Sequence, residues 1–325
     1  MKLKSFTSLQ AAIQGGIFLF VGTLFSVVAM YLNFRSDGRV SPLAMTLYIT
    51  MAGYWAGTIA GVGGINAARK DWQAGKISLT AEEAARLKTA KPPLSPLWLT
   101  PFVYGMAQTM VIGALAAGFC FLLFPDGLPL AALVPASAVL IGGAGALSAK
   151  LLSGRQLFRY LNHPRPQPVP YGLNLFREHI INNVLANIFI NATLGFALYY
   201  AVFIHPEEPL SLALMIVDTV VVSFFVSILV PAGTSMQAES EAREKWTALP
   251  KPGARPLPGL IGQNLRYVLV SEGIAAVFII GFVALGMKSF DIWHIVAIKG
   301  IHPAVVGGVV GAMAAYWGTA RGSQS

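Results

Sequence analysis

The sequence predicts an all-α polytopic membrane helix bundle, eight transmembrane helices arranged as two parallel four-helix repeats. Three observations lead there. Of 325 residues, 55% are hydrophobic and only 11% charged, with a mean hydropathy of +0.63; in soluble domains charged residues make up roughly 25%. Eight apolar stretches, at 12–34, 43–66, 99–124, 130–150, 179–204, 209–231, 260–286 and 302–320, are each long enough to cross a hydrocarbon core of about 30 Å as a helix of about 20 residues. The third observation is where the charge falls. With eight crossings the two termini and the second, fourth and sixth loops share one side, and that side collects 18 of the 23 Lys and Arg residues. A net charge of +9 would point a soluble protein toward nucleic acid. Sorted onto one face of a membrane, it obeys the positive-inside rule instead, which places both termini in the cytoplasm and the chain in the cell inner membrane, with no nucleic-acid partner.

Each element has its own signal. The first stretch follows Lys2 and Lys4; its apolar region is too long for a signal peptide and "FSVVAMYLNF" offers no small-x-small cleavage site, so it reads as an uncleaved anchor. The second carries Gly53, Gly57 and Gly61 at four-residue spacing, a small-residue stripe that lets helix backbones approach closely in lipid. The linker 67–98 contains "TAEE" (80–83), with Thr80 as a helix cap and Glu83 three residues on. Cys120, the single cysteine, falls in the third stretch and excludes a disulfide framework or a cysteine metal site. A basic connector, 152–178, holds four prolines that oppose a continuous helix. In the linker 232–259, "TSMQ" (234–237) suggests a second short capped helix, braced by Glu239 with Arg243 and Glu241 with Lys245. Trp72 and Trp246 suit such linker helices lying on the membrane surface, with the basic residues drawn to anionic lipid headgroups. The last stretch repeats the small-residue stripe at Gly307, Gly311 and Ala315.

The chain is one unit written twice. "RKDWQA" (69–74) matches "REKWTA" (243–248), "KPPLSPLWL" (91–99) matches "KPGARPLPGL" (251–260), and "PLAMTL" (42–47) matches "PLSLAL" (209–214). Pro135-Ala136 matches Pro303-Ala304, and "GALAA" (113–117) matches "GIAAV" (273–277). The five matches run in one order. The first repeat is 1–151, the connector 152–178 and the second repeat 179–325. An even number of crossings returns each repeat to its starting side, so the repeats are parallel.

The second repeat holds the polar residues that hydrocarbon cannot accommodate. His179, Asn183, Asn187 and Asn191 in "HIINNVLANIFINATLGF" (179–196) recur every fourth residue and share one helix face. They serve either as hydrogen-bonded glue between helices or as the lining of a hydrated path. Asp218 in the sixth stretch and Glu272 in the seventh are intramembrane acids, which by default carry function. Arg266 is expected either to tune them or to form a static pair with one of them. Their counterparts in the first repeat are Met51 and Ile112, uncharged.

No HExxH, cysteine cluster, Gly-x-Ser-x-Gly or nucleotide fingerprint is present, and no cofactor is expected. His205, Glu207, Glu208, Asp291, His294 and His302 are assigned to outer loops, where a metal site is not the expected outcome. The resulting functional reading is a transporter or permease for a small solute or ion, with proton coupling through Asp218 and Glu272 and a path lined by the asparagines. The alternative is a non-catalytic membrane scaffold whose basic linkers dock a cytoplasmic partner or anionic lipid; an intramembrane lipid enzyme stands third. A homo-oligomer is compatible with each.

Overall fold

In the computed structural model, residues 1–32, 39–91, 99–161, 168–198, 209–247 and 259–324 are described. The molecule is an all-α membrane bundle. Among the described residues six segments are long and apolar enough to cross a membrane: Leu3–Thr23, Val103–Leu123, Val134–Gly154, Leu212–Arg243, Ile261–Ala284 and Ile292–Ser323. The two expected spans outside this set are the Gly-rich helix Pro42–Gln73, whose last two turns are polar, and Asn182–Leu198, which is described for only 17 residues. Large apolar side chains such as Met110, Leu122, Ile261 and Val277 are more than half exposed, the surface expected where lipid is the solvent.

The chain divides into two compact units, Met1–Pro164 with Ala197–Phe203, and Arg165–Phe196 with Ile204–Ser325. In the first, helix α1 (Leu3–Leu32) lies along α5 (Leu130–Leu151), and α2 (Pro42–Gln73) packs on both α4 (Leu99–Leu123) and α5. Small residues set these contacts. A Cβ on Gly15 would sit 2.8 Å from the Ala146 Cβ, and one on Gly142 would sit 2.9 Å from the Leu19 Cβ. On α2, Gly53 faces Ile112, Gly57 faces the Gln108 amide, and Gly61 is buried. Gln108 donates from Nε2 to the Ala144 carbonyl at 2.8 Å and accepts the Ser148 hydroxyl at 3.1 Å, so its amide ties α4 to α5. Helix α3 (Ala81–Thr89) starts at the expected capping box: the Glu83 N–H donates to Thr80 Oγ1, and the Thr80 N–H donates to Glu83 Oε2.

In the second unit a π-helical segment, Leu175–Ile181, leads into α8 (Asn182–Leu198). Helix α9 (Leu212–Arg243) lies along α11 (Ile292–Gln324), and α10 (Leu260–Ala284) packs against both. Val222, Val226, Tyr267, Val306, Val310 and Trp317 form the apolar core. Each unit also carries a two-residue antiparallel ribbon. Strand β1 (Arg39–Val40) pairs with β2 (Leu128–Pro129), and β3 (Leu210–Ser211) with β4 (Ser289–Phe290).

Several boundaries differ from the sequence expectation. Helix α9 does not stop at Pro231 but continues to Arg243, so Thr234 is a buried mid-helix residue and not a cap. Lys245 lies beyond the helix end with φ +60°, which leaves Glu241 without the expected brace, whereas Arg243 does reach Glu239 at 2.8 Å. The connector is helical at both ends, through Leu161 on one side (the short α6, Leu157–Leu161) and from Tyr171 on the other (the short α7, Tyr171–Asn174); Pro164 and Pro166 lie outside the described residues. Helix α11 begins at Ile292, ten residues before the expected start of the last span, which brings Lys299 and His302 inside a membrane helix.

Candidate functional site

The asparagine face of α8 turns inward. Each amide gives an N–H to a backbone carbonyl one turn back: Asn183 to His179, Asn187 to Asn183 and Asn191 to Asn187, at 2.5, 2.8 and 3.0 Å. Four-residue spacing makes this possible, because a side chain leans back over the preceding turn of its own helix. The face then meets the small residues of α11: a Cβ on Gly307 would collide with the Asn187 amide, and one on Gly311 would lie 2.5 Å from Asn183 Nδ2. Toward α9, Asn183 Nδ2 donates to Thr234 Oγ1 at 3.1 Å.

Two ionisable clusters flank this column. One joins α9 and α11, where Lys299 Nζ donates to Asp218 Oδ1 at 2.5 Å. The side chains are only 7% and 12% exposed. One turn further along α11, His302 Nε2 lies 2.8 Å from the Ser223 hydroxyl. The Ser271 hydroxyl on α10 donates to the Ser223 carbonyl at 2.7 Å, tying the third helix to the same level. The His302 ring stands edge-on to Phe278, and both Asp218 and Lys299 act on it electrostatically. Pro303 lies inside α11 and supplies no N–H to the turn containing Lys299, so the helix is weakest where it carries the pair.

The second cluster lies where the connector meets the far end of α9. Glu241 accepts from Asn174 Nδ2 and His179 Nε2, both at 3.0 Å, and from Gln237 Nε2 at 2.8 Å. His179 and Glu241 are 1% and 3% exposed. Neighbouring Glu239 takes Arg243, with Arg321 at 3.5 Å, and Arg321 also donates to Gln263 Oε1.

Measured along α9 at 1.5 Å per residue, Asp218 lies ~9 Å from Leu212, Ser223 ~16 Å, Thr234 ~33 Å and Glu241 ~43 Å. Polar groups therefore recur along the whole thickness that α8, α9 and α11 span. Ser223 and His302 pair as a nucleophile and its base would. However, Ser223 sits in a regular helix whose backbone N–H groups are taken up by the helical ladder, so no donors are arranged for an oxyanion.

The sequence-predicted residues separate into three groups. Asp218, His179, Asn183, Asn187 and Asn191 join the column. Glu272 is half-buried on α10 beside Ser271, and among the described residues it makes no hydrogen bond or ion pair; its Oε1 is buried without a partner. Arg266 pairs with neither acid: it is exposed on α10, its guanidinium 5.9 Å from the Trp317 ring centre, a cation–π contact. The partner of Asp218 is Lys299, which the sequence reading assigned to an outer loop, as it did His302. Asp291 and His294 do lie at the start of α11, outside the column. His205, Glu207 and Glu208 lie outside the described residues, and no cluster of three metal-ligating side chains occurs among the described ones. The signal that would have found Lys299 and His302 was the apolar run "HIVAIKGIHPAVV" (294–306), which carries the helical pattern through both.

The fold and this column define a polytopic, helical membrane-spanning protein. No protein-family model matches the chain, and neither curated proteins nor solved structures give a significant match.

Proposed function

We propose that this protein is a transporter or permease of the cell inner membrane, moving a small solute or ion along the polar column of the second unit with proton coupling. The observation that carries this reading is the column itself. Ionisable groups in hydrocarbon are costly, by about 2.5 kcal/mol or more each, and a purely architectural bundle has no need to place Asp218, Lys299 and His302 together at one level of the second unit. In this reading Asp218 takes and releases protons, Glu272 is a second acid on the neighbouring helix, and Asn183, Asn187 and Asn191 line the route.

The chain crosses the membrane eight times as two parallel four-helix repeats, with both termini cytoplasmic. The paired ribbons support the duplication in outline: each joins the residues before a unit's second long helix to those before its last. The basic linkers rest against anionic lipid.

The test begins with an untargeted comparison of solutes retained by cells with and without the gene. The solutes that differ are then assayed with the purified protein in liposomes. Asp218→Asn is expected to reduce proton-coupled flux at least about tenfold, which corresponds to losing 1.4 kcal/mol or more of coupling. Undiminished flux in folded Asp218→Asn and Glu272→Gln would remove the mechanism. A protein that moves nothing yet retains a cytoplasmic partner would be a scaffold.

A further inference from the structure

One cation of the second unit stands on the outer flank of its helix. Arg266 is exposed on α10, within the apolar segment Ile261–Ala284 and about 9 Å along the axis from the helix start at Leu260. Around it Ile261, Leu265 and Leu269 are 86%, 57% and 63% exposed, a surface that suits acyl chains and not water. Among the described residues Arg266 makes no hydrogen bond or ion pair. Contact with a ring supplies no acceptor oxygen, so the five N–H donors of the guanidinium remain to be satisfied. A charge left in that position is costly in hydrocarbon.

The support beneath it is fixed. The Arg266 guanidinium lies 5.9 Å from the centre of the Trp317 ring on α11, and that ring, 9% exposed, packs 5.1 Å from Tyr267, which is 2% exposed. One turn beyond Trp317, Arg321 donates to Gln263 Oε1 at 2.9 Å and ties α11 back to α10. Two guanidiniums therefore flank Trp317 on one seam. Arg321 reaches a single carboxylate, Glu239, which Arg243 shares, and Arg266 reaches none. The seam carries an excess of positive charge.

We propose that Arg266, seated on Trp317, binds the phosphodiester of an anionic membrane phospholipid of the phosphatidylglycerol type. The guanidinium fork matches two phosphate oxygens at once, and the phosphodiester is the anion that the bilayer itself supplies where a helix passes from headgroups into acyl chains. An arginine stem spans the remaining distance, with its methylenes in the acyl region and its head at the phosphate. The excess positive charge selects a lipid of net negative charge, because a zwitterionic headgroup brings its own ammonium toward Arg321. This site differs from the attraction of the basic linkers, which is diffuse and requires no geometry. It does not rest on the transport reading, since a scaffold would hold the same lipid.

The experiment titrates the full-length protein, in an uncharged maltoside detergent, with dioleoylphosphatidylglycerol or dioleoylphosphatidylethanolamine and resolves the lipid adducts by native mass spectrometry. The first phosphatidylglycerol should bind at least about tenfold more tightly than the first phosphatidylethanolamine, as a charge-assisted bidentate contact implies. Arg266→Gln should abolish that preference. Arg266→Lys should keep only part of it, since an ammonium is no fork, and Lys88→Gln, at an exposed cation of α3, should leave it unchanged. Should Arg266→Gln fail to fold, the wild-type protein still decides: a phosphatidylglycerol with a diazirine on its headgroup should label the start of α10 and the end of α11. Equal binding of the two lipids, an undiminished preference in Arg266→Gln, or labelling confined to the linkers each overturns the proposal. Displacement of the lipid by an equal concentration of inorganic phosphate or glycerol 3-phosphate also overturns it, and assigns the seam to a free anion.

Discussion

Asn183, Asn187 and Asn191 owe their place in the bilayer to a local bond and a distant gap. The local bond is the amide N–H given to the carbonyl one turn back; the gap, for Asn183 and Asn187, is the pair Gly311 and Gly307 on α11. Replacing Gly311 with Val should therefore destabilise the second unit by about 1–3 kcal/mol, the usual cost of overpacking, as measured by reversible unfolding in detergent. Gly233, which has open space around its Cα, is the control: the same substitution there should act through helix propensity alone. At the other end of the column, Glu241 is the common acceptor of Asn174, His179 and Gln237. Glu241→Leu removes it and leaves two buried donors, Asn174 and His179, and the half-buried Gln237, so a loss of about 3–5 kcal/mol is expected; Glu241→Gln, which keeps one carbonyl acceptor, should lose less. The four-residue spacing of the polar face was legible in the text of the chain. Its partners were not, because Lys299, Thr234 and Glu241 are distant in sequence and each has a plausible reading as a loop or surface residue.

Among the elements, α9 is the most instructive. Pro231 and the polar run after it are ordinary stop signals, yet the helix continues for three further turns. Its polar residues find partners there: Thr234 meets Asn183, Glu241 meets His179, and Glu239 takes Arg243 with Arg321 nearby. Packing overrides local preference where it supplies the missing bonds. Gly318 and Gly322 on α11 lie directly over the Ser235 and Glu239 carbonyls, so the continued helix is also clasped closely. Helix α11 starts by a different means, with Asp291 accepting the His294 N–H at 2.8 Å. That bond, together with the imidazole, holds the exposed Asp291 carboxyl below its usual range. A depressed acid contributes stability that is present above its unfolded pKa and lost as pH falls through the lower, folded value. Amide exchange at His294 should accordingly quicken as the solution is acidified below the ordinary carboxylate range, and Asp291→Asn, which caps without titrating, should not show that acid limb.

For the whole molecule, topology is the quantity to test. In a chain with Cys120 replaced, single cysteines at Glu82 and Ser323 should react with an impermeant maleimide from the cytoplasmic face, and those at Asp126 and Lys288 from the opposite face; any other pattern changes the number or direction of crossings. Composition and the length of apolar runs by themselves determined that the chain is a helical membrane protein. They suffice because lipid demands internally bonded backbone and apolar surface along every span, and those demands are met residue by residue. The positions of Gly57, Asn187 and Thr80 within their elements followed from spacing for the same reason. What only the tertiary structure decided is which polar groups meet: Asp218 with Lys299 instead of Arg266, His302 with Ser223, and Glu241 with His179. Such pairings depend on how helices rotate and slide against one another, and glycine contacts separated by more than a hundred residues fix that rotation, which no local pattern encodes.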